Sequence, residues 1–264
     1  MNKTYSLITG ASSGIGKSIA YELASRNRNL LLVSLPGEGL TEVAKDIFDN
    51  YDVEVDFLEQ DLSEKNGPKK VFNWTEKNNY VVDILVNNAG KAGTALFDQS
   101  DDFYIDDRLQ VNVRALVLLS RYYIPAMKKL PESWIINIGS LSAFFAIPFK
   151  SLYSSTKAFV VNFSRALRTE LKETGITVSV VCPNGVRTNE GTHARIDSHG
   201  AKGKFTSLPV EAVARIGIEK SLKGRFMVIP GRVNRLLLII KKLLPGFLEQ
   251  RLLYKEFYNE VIVS

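Results

Sequence analysis

The length, composition and charge of the chain limit what it can be. Its 264 residues are 45% hydrophobic and 23% charged, proportions typical of a folded globular protein and unlike those of disordered segments. The net charge of +6 comes from the end of the chain, since residues 201–264 hold 12 basic and 5 acidic side chains. No module interleaves basic with aromatic residues, which argues against a nucleic-acid partner.

The single cysteine and the start of the chain bear on the cellular compartment. Because Cys182 has no second cysteine to pair with, an internal disulfide is excluded and a reducing compartment is favoured. Cys182 follows the apolar run 178–181, which indicates a buried thiol rather than a nucleophile. Residues 1–4 lead directly into a strand-like stretch and leave no room for a signal peptide. We therefore expect a cytoplasmic protein.

Short apolar runs alternate with helix-period stretches as far as about residue 230, a pattern typical of βα units around a parallel sheet. Leu40, Val43, Ala44, Ile47 and Phe48 illustrate the helical spacing, which places one apolar stripe against the sheet. The predicted strands cover residues 5–8, 30–33, 53–58, 84–86, 134–138, 178–181 and 226–229. We predict one α/β domain over residues 1–264, with a doubly wound, Rossmann-like sheet of seven parallel strands and a helical C-terminal tail.

A glycine-rich turn follows the first predicted strand, with the sequence Thr-Gly-Ala-Ser-Ser-Gly-Ile-Gly at residues 9–16. A helix-period stretch comes next, so strand, turn and helix stand in the order that a dinucleotide-binding motif needs. Glycine lets the backbone turn tightly and approach a pyrophosphate, and the N–H groups at the helix start attract the anion. A tight βα connection without a ligand is the alternative. The residues predicted to surround the phosphates are Gly10, Ser12, Ser13, Gly14, Ile15 and Gly16.

A tyrosine and a lysine stand four residues apart later in the chain. Tyr153 and Lys157 fall on one face of a predicted helix, where an ammonium can approach a phenol. A phenol titrates near ~10, and a nearby cation is the expected means of bringing its pKa towards neutrality for proton transfer. Among 10 tyrosines this spacing also arises by chance, so an ordinary surface pair is the alternative.

The spacings Thr-Gly-x-x-x-Gly-x-Gly and Tyr-x-x-x-Lys resemble the short-chain dehydrogenase/reductase superfamily, in its single-domain branch, over about residues 4–230. The resemblance implies hydride transfer between NADP(H) or NAD(H) and a carbonyl or alcohol carbon. It implies that Tyr153 donates the proton and that Lys157 lowers the pKa of this phenol and holds the nicotinamide ribose. Ser140 would hydrogen-bond the substrate oxygen, and Asn112 would hold a water that links Lys157 to solvent. For Ser140 the alternative is a purely structural role, and for Asn112 it is an amide that faces the core.

The resemblance also implies cofactor contacts outside the glycine turn. Asp61 would cap the adenine amino group, and Asn-Asn-Ala-Gly at 87–90 would support the sheet and border the cofactor. The family usually has Pro-Gly after the sixth strand, whereas this chain has Pro-Asn-Gly at 183–185. Since asparagine enters left-handed backbone more readily than most residues, we expect the turn to survive. The residues implied to contact the cofactor are Ser34, Asp61, Leu62, Asn88, Ala89, Gly90, Tyr153, Lys157, Pro183, Gly185, Val186 and Thr188.

The end of the second predicted strand bears on the choice between the two cofactors. Ser34 and Leu35 stand where NAD-selective relatives usually have an acidic residue, so no carboxylate there repels a 2′-phosphate. Leu35 and Ser13 also replace the Arg or Lys that NADP-selective relatives often carry. The candidates for supplying that missing contact are Ser12, Ser34, Arg26 and Arg28. On this basis NADP(H) is favoured over NAD(H).

Two further segments concern the substrate. Residues 186–208 are rich in Gly and Ser and predict a long substrate loop. Its histidines, His193 and His199, have no Cys or carboxylate at metal-ligand spacing, so no metal is predicted. The apolar residues after Ser140 favour a hydrophobic ketone or secondary alcohol, such as a 3-oxoacyl chain, a terpenoid or a steroid-like ring. These apolar residues are Leu141, Phe144, Phe145, Ile147 and Phe149. Core packing is the alternative for some of the five.

The C-terminal extension, residues 232–264, begins with an apolar and basic helix candidate. Its apolar run is far shorter than the ~20 residues that span a bilayer. Leu238 and Ile239 widen the apolar stripe beyond what a single sheet face needs. The stripe itself is formed by Val233, Leu236, Leu237, Ile240 and Leu244. A dimer partner, a flap over an apolar substrate pocket and peripheral membrane contact are three ways to cover it. A homodimer or homotetramer is expected.

Two other functions compete with an oxidoreductase. A non-catalytic protein that senses or binds a dinucleotide on the same fold would typically have lost Tyr153 or Lys157, and this chain has both. A sugar-nucleotide epimerase or dehydratase has a different glycine spacing and a longer substrate domain. The oxidoreductase is therefore the favoured hypothesis.

Overall fold

The described residues of the protein, 3–186 and 207–262 in a computed structural model, contain one parallel sheet of seven strands. The strands are β1 Thr4–Thr9, β2 Asn29–Ser34, β3 Val55–Glu59, β4 Val81–Asn87, β5 Ser133–Ile138, β6 Ile176–Val181 and β7 Met227–Val228. Their order in the sheet is β3-β2-β1-β4-β5-β6-β7, so the winding reverses between β1 and β4. The predicted doubly wound, Rossmann-like α/β fold is confirmed.

Helices cover both faces of this sheet. They are α1 Gly14–Ala24, α2 Leu40–Asn50, α3 Gly67–Lys77, α4 Asp102–Leu109, α5 Leu116–Met127, α6 Ser151–Glu170, α7 Val210–Leu222, α8 Arg232–Leu243 and α9 Gly246–Ile262. Side chains of a strand point alternately to the two faces, and in β1 Leu7 packs into one apolar cluster while Ile8 packs into the other. The middle of β2, residues 30–33, is an uninterrupted apolar run for this reason.

Each strand begins or ends up to three residues from its predicted bounds. β3 begins at Val55 instead of residue 53, because the Val53 N–H donates to the carbonyl of Tyr51 at 2.9 Å in the turn that ends α2. The predicted substrate loop falls almost entirely on residues 187–206, which lie outside the described residues, as do Thr188, His193 and His199. At its two ends, Val186 and Leu208 pair through a parallel bridge.

The predicted C-terminal tail forms two helices, α8 and α9. Asn234, 2% exposed, fixes the start of α8 to the domain, because its Nδ2 donates to the carbonyl of Pro230 at 2.9 Å and its Oδ1 accepts from Asn184 Nδ2 at 3.1 Å. α9 lies against the segment before α6, where Gln250 Nε2 donates to the carbonyl of Ala146 at 3.1 Å. No helix within the described ranges combines the length and the apolar character that crossing a membrane requires.

Candidate active site

The glycine turn joins β1 to α1 at the carboxyl edge of the sheet. Gly10 and Gly14 have left-handed φ angles of 65° and 53°, which glycine adopts at little cost. Gly16 is packed so closely that a Cβ there would collide with the carbonyl oxygen of Gly10 and with Asn88 Nδ2. α1 begins at Gly14, so its first N–H groups face this edge without partners inside the helix. The turn therefore fits a pyrophosphate.

Asn88 holds the turn in place from the end of β4. Its Nδ2 donates to the carbonyls of Thr9 at 2.8 Å and Gly10 at 3.1 Å. In return, Thr9 Oγ1 accepts from the backbone N–H groups of Asn88 and Ala89, both at 3.0 Å. These bonds connect β1 and β4 at the point where the winding of the sheet reverses, which is where open α/β sheets bind their ligands.

Ser34 and Asp61 lie at the same edge, after β2 and β3. The Ser34 hydroxyl is buried and donates to the carbonyl of Leu35 at 3.1 Å. Asp61 Oδ1 accepts from the N–H and the hydroxyl of Ser63, both at 2.7 Å, which fixes the carboxylate beside the buried Leu62. Both residues are therefore at the edge of the sheet where a dinucleotide bound to the glycine turn would lie.

Arg26 and Arg28 are far from that edge, and the proposal that they contact a 2′-phosphate was wrong. Both precede β2, whose six residues at ~3.3 Å each put roughly 20 Å between Arg28 and the end of the strand. Arg28 pairs instead with Asp83, and Arg26 pairs with Glu22 at 2.5 Å. The sequence placed these arginines near the second strand but at its amino end, which is the opposite edge.

Lys157 projects from α6 into the interior and is 5% exposed. Its Nζ donates to the carbonyl of Ile138, the last residue of β5, at 2.9 Å, and lies 5.9 Å from the centre of the Tyr153 ring. Burial lowers the pKa of Lys157 to about 8, because an apolar environment disfavours the charged form. The bond to Ile138 could not be read from the sequence, and it keeps the ammonium beside Tyr153.

Gly90 and Asn112 border this lysine. A Cβ on Gly90 would lie 3.3 Å from Lys157 Nζ and 3.3 Å from Asn112 Oδ1, so a side chain here would push these groups back by a few tenths of an ångström. Asn112 is buried and lies in a π-helical turn, Gln110–Ala115, a local irregularity frequent at functional sites. The structure thus brings Gly90, Asn112 and Lys157 together.

The amide of Asn112 makes direct protein contacts. Its Oδ1 accepts from the Lys91 N–H at 2.7 Å, and its Nδ2 donates to the Lys91 carbonyl at 2.9 Å and to Thr156 Oγ1 at 3.2 Å. Sequence reasoning missed Thr156, which precedes Lys157 in the Tyr-x-x-x-Lys segment, and the backbone of Lys91. The water implied between Asn112 and Lys157 stays a prediction.

Ser140 follows β5 and caps a short 3-10 helix, Leu141–Phe144. Its Oγ accepts from the Ser142 N–H at 3.1 Å and from the Ser142 hydroxyl at 2.8 Å. The Leu141 N–H donates to the carbonyl of Pro183 at 2.7 Å, which holds the ends of β5 and β6 together. These contacts leave the Ser140 hydroxyl proton available for a substrate oxygen.

A cleft of about 360 Å³ opens on the side of α4 that faces this region, and it is lined by Thr94, Ala95, Leu96, Gln99, Ser100, Asp101 and Tyr104. A small extension of the cleft, which shares Ala95, Ser100 and Tyr104, reaches Phe149 and Tyr153. Sequence reasoning proposed Phe149 as a pocket residue but missed Ala95 and Tyr104. Tyr153 therefore lines a small recess, of about 10 Å³, that adjoins this cleft.

The aromatic residues between Ser140 and Tyr153 divide between this cleft and the tail. Phe149 has a left-handed φ of 63°, uncommon for a bulky residue, and its ring packs on Tyr254 of α9 at 5.4 Å between centroids. The ring of Phe145 lies 5.7 Å from Lys241 Nζ of α8. Leu141 and Ile147 are buried in the protein. Part of the predicted apolar pocket is thus packing against α8 and α9.

The Pro-Asn-Gly segment after β6 differs from the expectation in its backbone. Asn184 does not adopt a left-handed φ; its side chain is instead the donor to Asn234 of α8. Pro183 and Val186 are buried and Gly185 is exposed. Cys182, just before, is a buried thiol as predicted, and burial raises its pKa to about 12.

The depressed pKa of Lys157 predicts a pH dependence of stability. Native Lys157 loses its proton near pH 8, whereas the unfolded residue keeps it up to about 10.5. Between these values the unfolded state binds more protons, so the free energy of unfolding of the cofactor-free protein should rise with pH, by on the order of 3 kcal/mol. Urea unfolding of the wild type and Lys157→Met at several pH values measures it. Equal pH slopes for the two proteins would contradict the prediction.

Known proteins resemble this chain over the part that contains the candidate active site. A family model for short chain dehydrogenases matches residues 4–198, which include the glycine turn, Asn112, Ser140, Tyr153 and Lys157. A solved short-chain dehydrogenase from Sphingobium yanoikuyae, in complex with NADPH, superposes with a TM-score of 0.78. It is 30% identical in sequence, and the match covers 91% of this chain and 94% of that one.

Two curated relatives share over a third of the aligned residues. The very-long-chain 3-oxoacyl-CoA reductase-A of Danio rerio is 37% identical over 190 residues, 70% of this chain and 58% of the relative. The chain thus spans less than two thirds of the length of that relative. The human inactive hydroxysteroid dehydrogenase-like protein 1 is 35% identical over 225 residues, 83% of this chain and 68% of the relative.

Among the described residues, no group of three or more His, Cys, Asp or Glu side chains is arranged to hold a metal ion.

Proposed function

The chain belongs to the short-chain dehydrogenase family, and on that premise we propose that it transfers a hydride between a nicotinamide dinucleotide and a hydrophobic ketone or secondary alcohol. The observation that carries this proposal is the position of Lys157. Its ammonium is buried beside the Tyr153 ring and fixed by the Ile138 carbonyl, next to the side-chain-free Gly90. A positioned cation beside a phenol suits proton transfer.

The dinucleotide, when bound, supplies or accepts the hydride. In the reducing direction, Tyr153 donates its phenolic proton to the substrate oxygen, and Ser140 donates a hydrogen bond to the same oxygen. Lys157 stabilises the negative charge that the phenol acquires as its proton leaves. The glycine turn would hold the pyrophosphate through the N–H groups at the start of α1. In the oxidising direction, Tyr153 accepts the proton of the alcohol.

We propose a preference for NADP(H) over NAD(H). It is supported by the absence of a carboxylate at the end of β2, where Ser34 and Leu35 stand, and by the bound NADPH of the Sphingobium yanoikuyae relative. With Arg26 and Arg28 excluded, Ser12 and Ser34 are the remaining candidates for the phosphate contact. The dissociation constant for NADPH should therefore be the lower one, measured by fluorescence titration of both cofactors. A tenfold preference for NADH would overturn this proposal.

The substrate class is proposed from the segment between Ser140 and Tyr153. Phe149 lines the extension of the cleft beside Tyr153, and the Danio rerio relative is named for an acyl-chain carbonyl substrate. We expect reduction of 3-oxoacyl thioesters or bulky apolar ketones, with KM falling as the apolar part grows. A screen of ketones and alcohols of graded size, followed by nicotinamide absorbance, tests this. Faster turnover of small polar ketones than of apolar ones would contradict the proposed class.

A dinucleotide-binding protein without turnover is the second candidate, and one relative of this chain is described as inactive. The presence of both Tyr153 and Lys157 favours an enzyme, because a pure binder does not need a proton donor. The two candidates differ in a single measurement. Tight NADPH binding without turnover of any compound in the graded screen would favour the binding protein.

A further inference from the structure

The outer face of α8 is apolar, although it faces away from the domain. Five of its side chains are 43% to 81% exposed: Val233, Leu236, Ile239, Ile240 and Leu243. At about 100° per residue they fall within an arc of about 120°, opposite the face that carries the buried Asn234. Helices of soluble proteins normally bury such a stripe.

α9 continues the same surface beyond a short turn. Phe247, Leu248 and Leu252 are 74%, 38% and 59% exposed. The two most exposed apolar side chains of the pair, Leu243 and Phe247, end α8 and begin α9, so they occupy the tip of the helix pair. An adjoining side of α9 contacts the domain, because Tyr254 and Gln250 pack on the segment before α6. Phe247, Leu248 and Leu252 remain exposed beside these contacts.

The charges on this surface are positive. The exposed ionic side chains are Arg232, Arg235, Lys242, Arg251 and Lys255. The acidic residues of the described side chains face inwards, since Glu249 is buried against Lys241, at 3.7 Å, and Glu256 is half-buried. Apolar residues flanked by cations are the pattern of helices that lie in the headgroup region of anionic membranes.

We propose that the outer face of α8 and α9 docks this protein on an anionic lipid surface, with Leu243 and Phe247 entering the boundary between headgroups and acyl chains. Neither helix is long and apolar enough to cross the bilayer, so the contact is peripheral. A second copy of the chain suits this face less well. A symmetric dimer through this face would bring two sets of the same cations into one interface, and like charges repel each other.

Co-sedimentation of the full-length protein with lipid vesicles tests the proposal. We expect it to pellet with vesicles of phosphatidylcholine and phosphatidylserine at low salt, and to be released as salt screens the basic side chains. Leu243→Ser combined with Phe247→Ser should weaken vesicle binding about a hundredfold, since each apolar side chain contributes about a factor of ten when buried. The thermal unfolding midpoint should stay unchanged, because both side chains are exposed.

Phe48→Ser is the matched control. Phe48 was predicted to face the sheet, but it is 66% exposed on α2. It lies outside the tail, so its loss should leave vesicle binding intact. Three results would overturn the proposal: no binding to the anionic vesicles, equal binding to pure phosphatidylcholine at all salt concentrations, or unchanged binding by the double variant. If the double variant instead turned a dimer into a monomer without any vesicle binding by the wild type, the face would be an interface between two copies.

Discussion

Tyr153→Phe should lower kcat by about 10²-fold to 10⁴-fold, the usual contribution of a positioned general acid, while leaving dinucleotide affinity close to that of the wild type. The substitution removes the phenolic oxygen and keeps the ring that borders the cleft. Because Lys157 is fixed by the Ile138 carbonyl, its position does not depend on that oxygen. Steady-state kinetics with the best substrate of the ketone screen, together with NADPH titration, measures the two effects separately.

Tyr122→Phe is the control for a phenol outside the site. Tyr122 packs on Phe72 between α5 and α3, so its loss should not change kcat. If Tyr153→Phe retained most of the wild-type activity, another group would have to supply the proton and the assignment would fail. Equal losses in both variants would point to a general effect on stability instead.

The sheet could be predicted from the sequence because its strands are buried on both faces. Runs such as 30–33 and 84–86 are continuously apolar, and this requirement is local to each strand. The start of β3 was missed since Val53, equally apolar, is used in the turn after α2. The homodimer or homotetramer and the cytoplasmic location stay predictions, because a single chain does not contain the contacts that would test them.

The site was predictable in its motif residues and not in the groups that position them. Tyr153 and Lys157 follow from spacing along one helix. The Ile138 carbonyl that receives the Lys157 ammonium is a backbone atom, and every residue has one, so no residue type marks it. Arg28 shows the converse error: it is close in sequence to the second strand, yet the direction of that strand places it at the opposite edge of the sheet.

Gly16→Ala should damage both the fold and the cofactor site. The new Cβ would collide with the carbonyl oxygen of Gly10 and with Asn88 Nδ2, the two groups whose hydrogen bond holds the glycine turn. Backbone has to move to relieve this overlap, at a cost of about 3 kcal/mol. Loss of one well-aligned phosphate contact would weaken NADPH binding about tenfold. Urea unfolding and NADPH titration of the variant measure the two losses.

Gly246→Ala makes the same change at a place without neighbours. Gly246 begins α9, and a Cβ there meets no atom within 4 Å, so alanine should leave NADPH affinity unchanged and stabilise the helix by a few tenths of a kcal/mol up to about 1 kcal/mol. The contrast separates crowding at the turn from the general effect of replacing glycine in a helix. If Gly16→Ala unfolded and bound NADPH as the wild type does, the close approach of Gly10, Gly16 and Asn88 would not be what shapes the phosphate site.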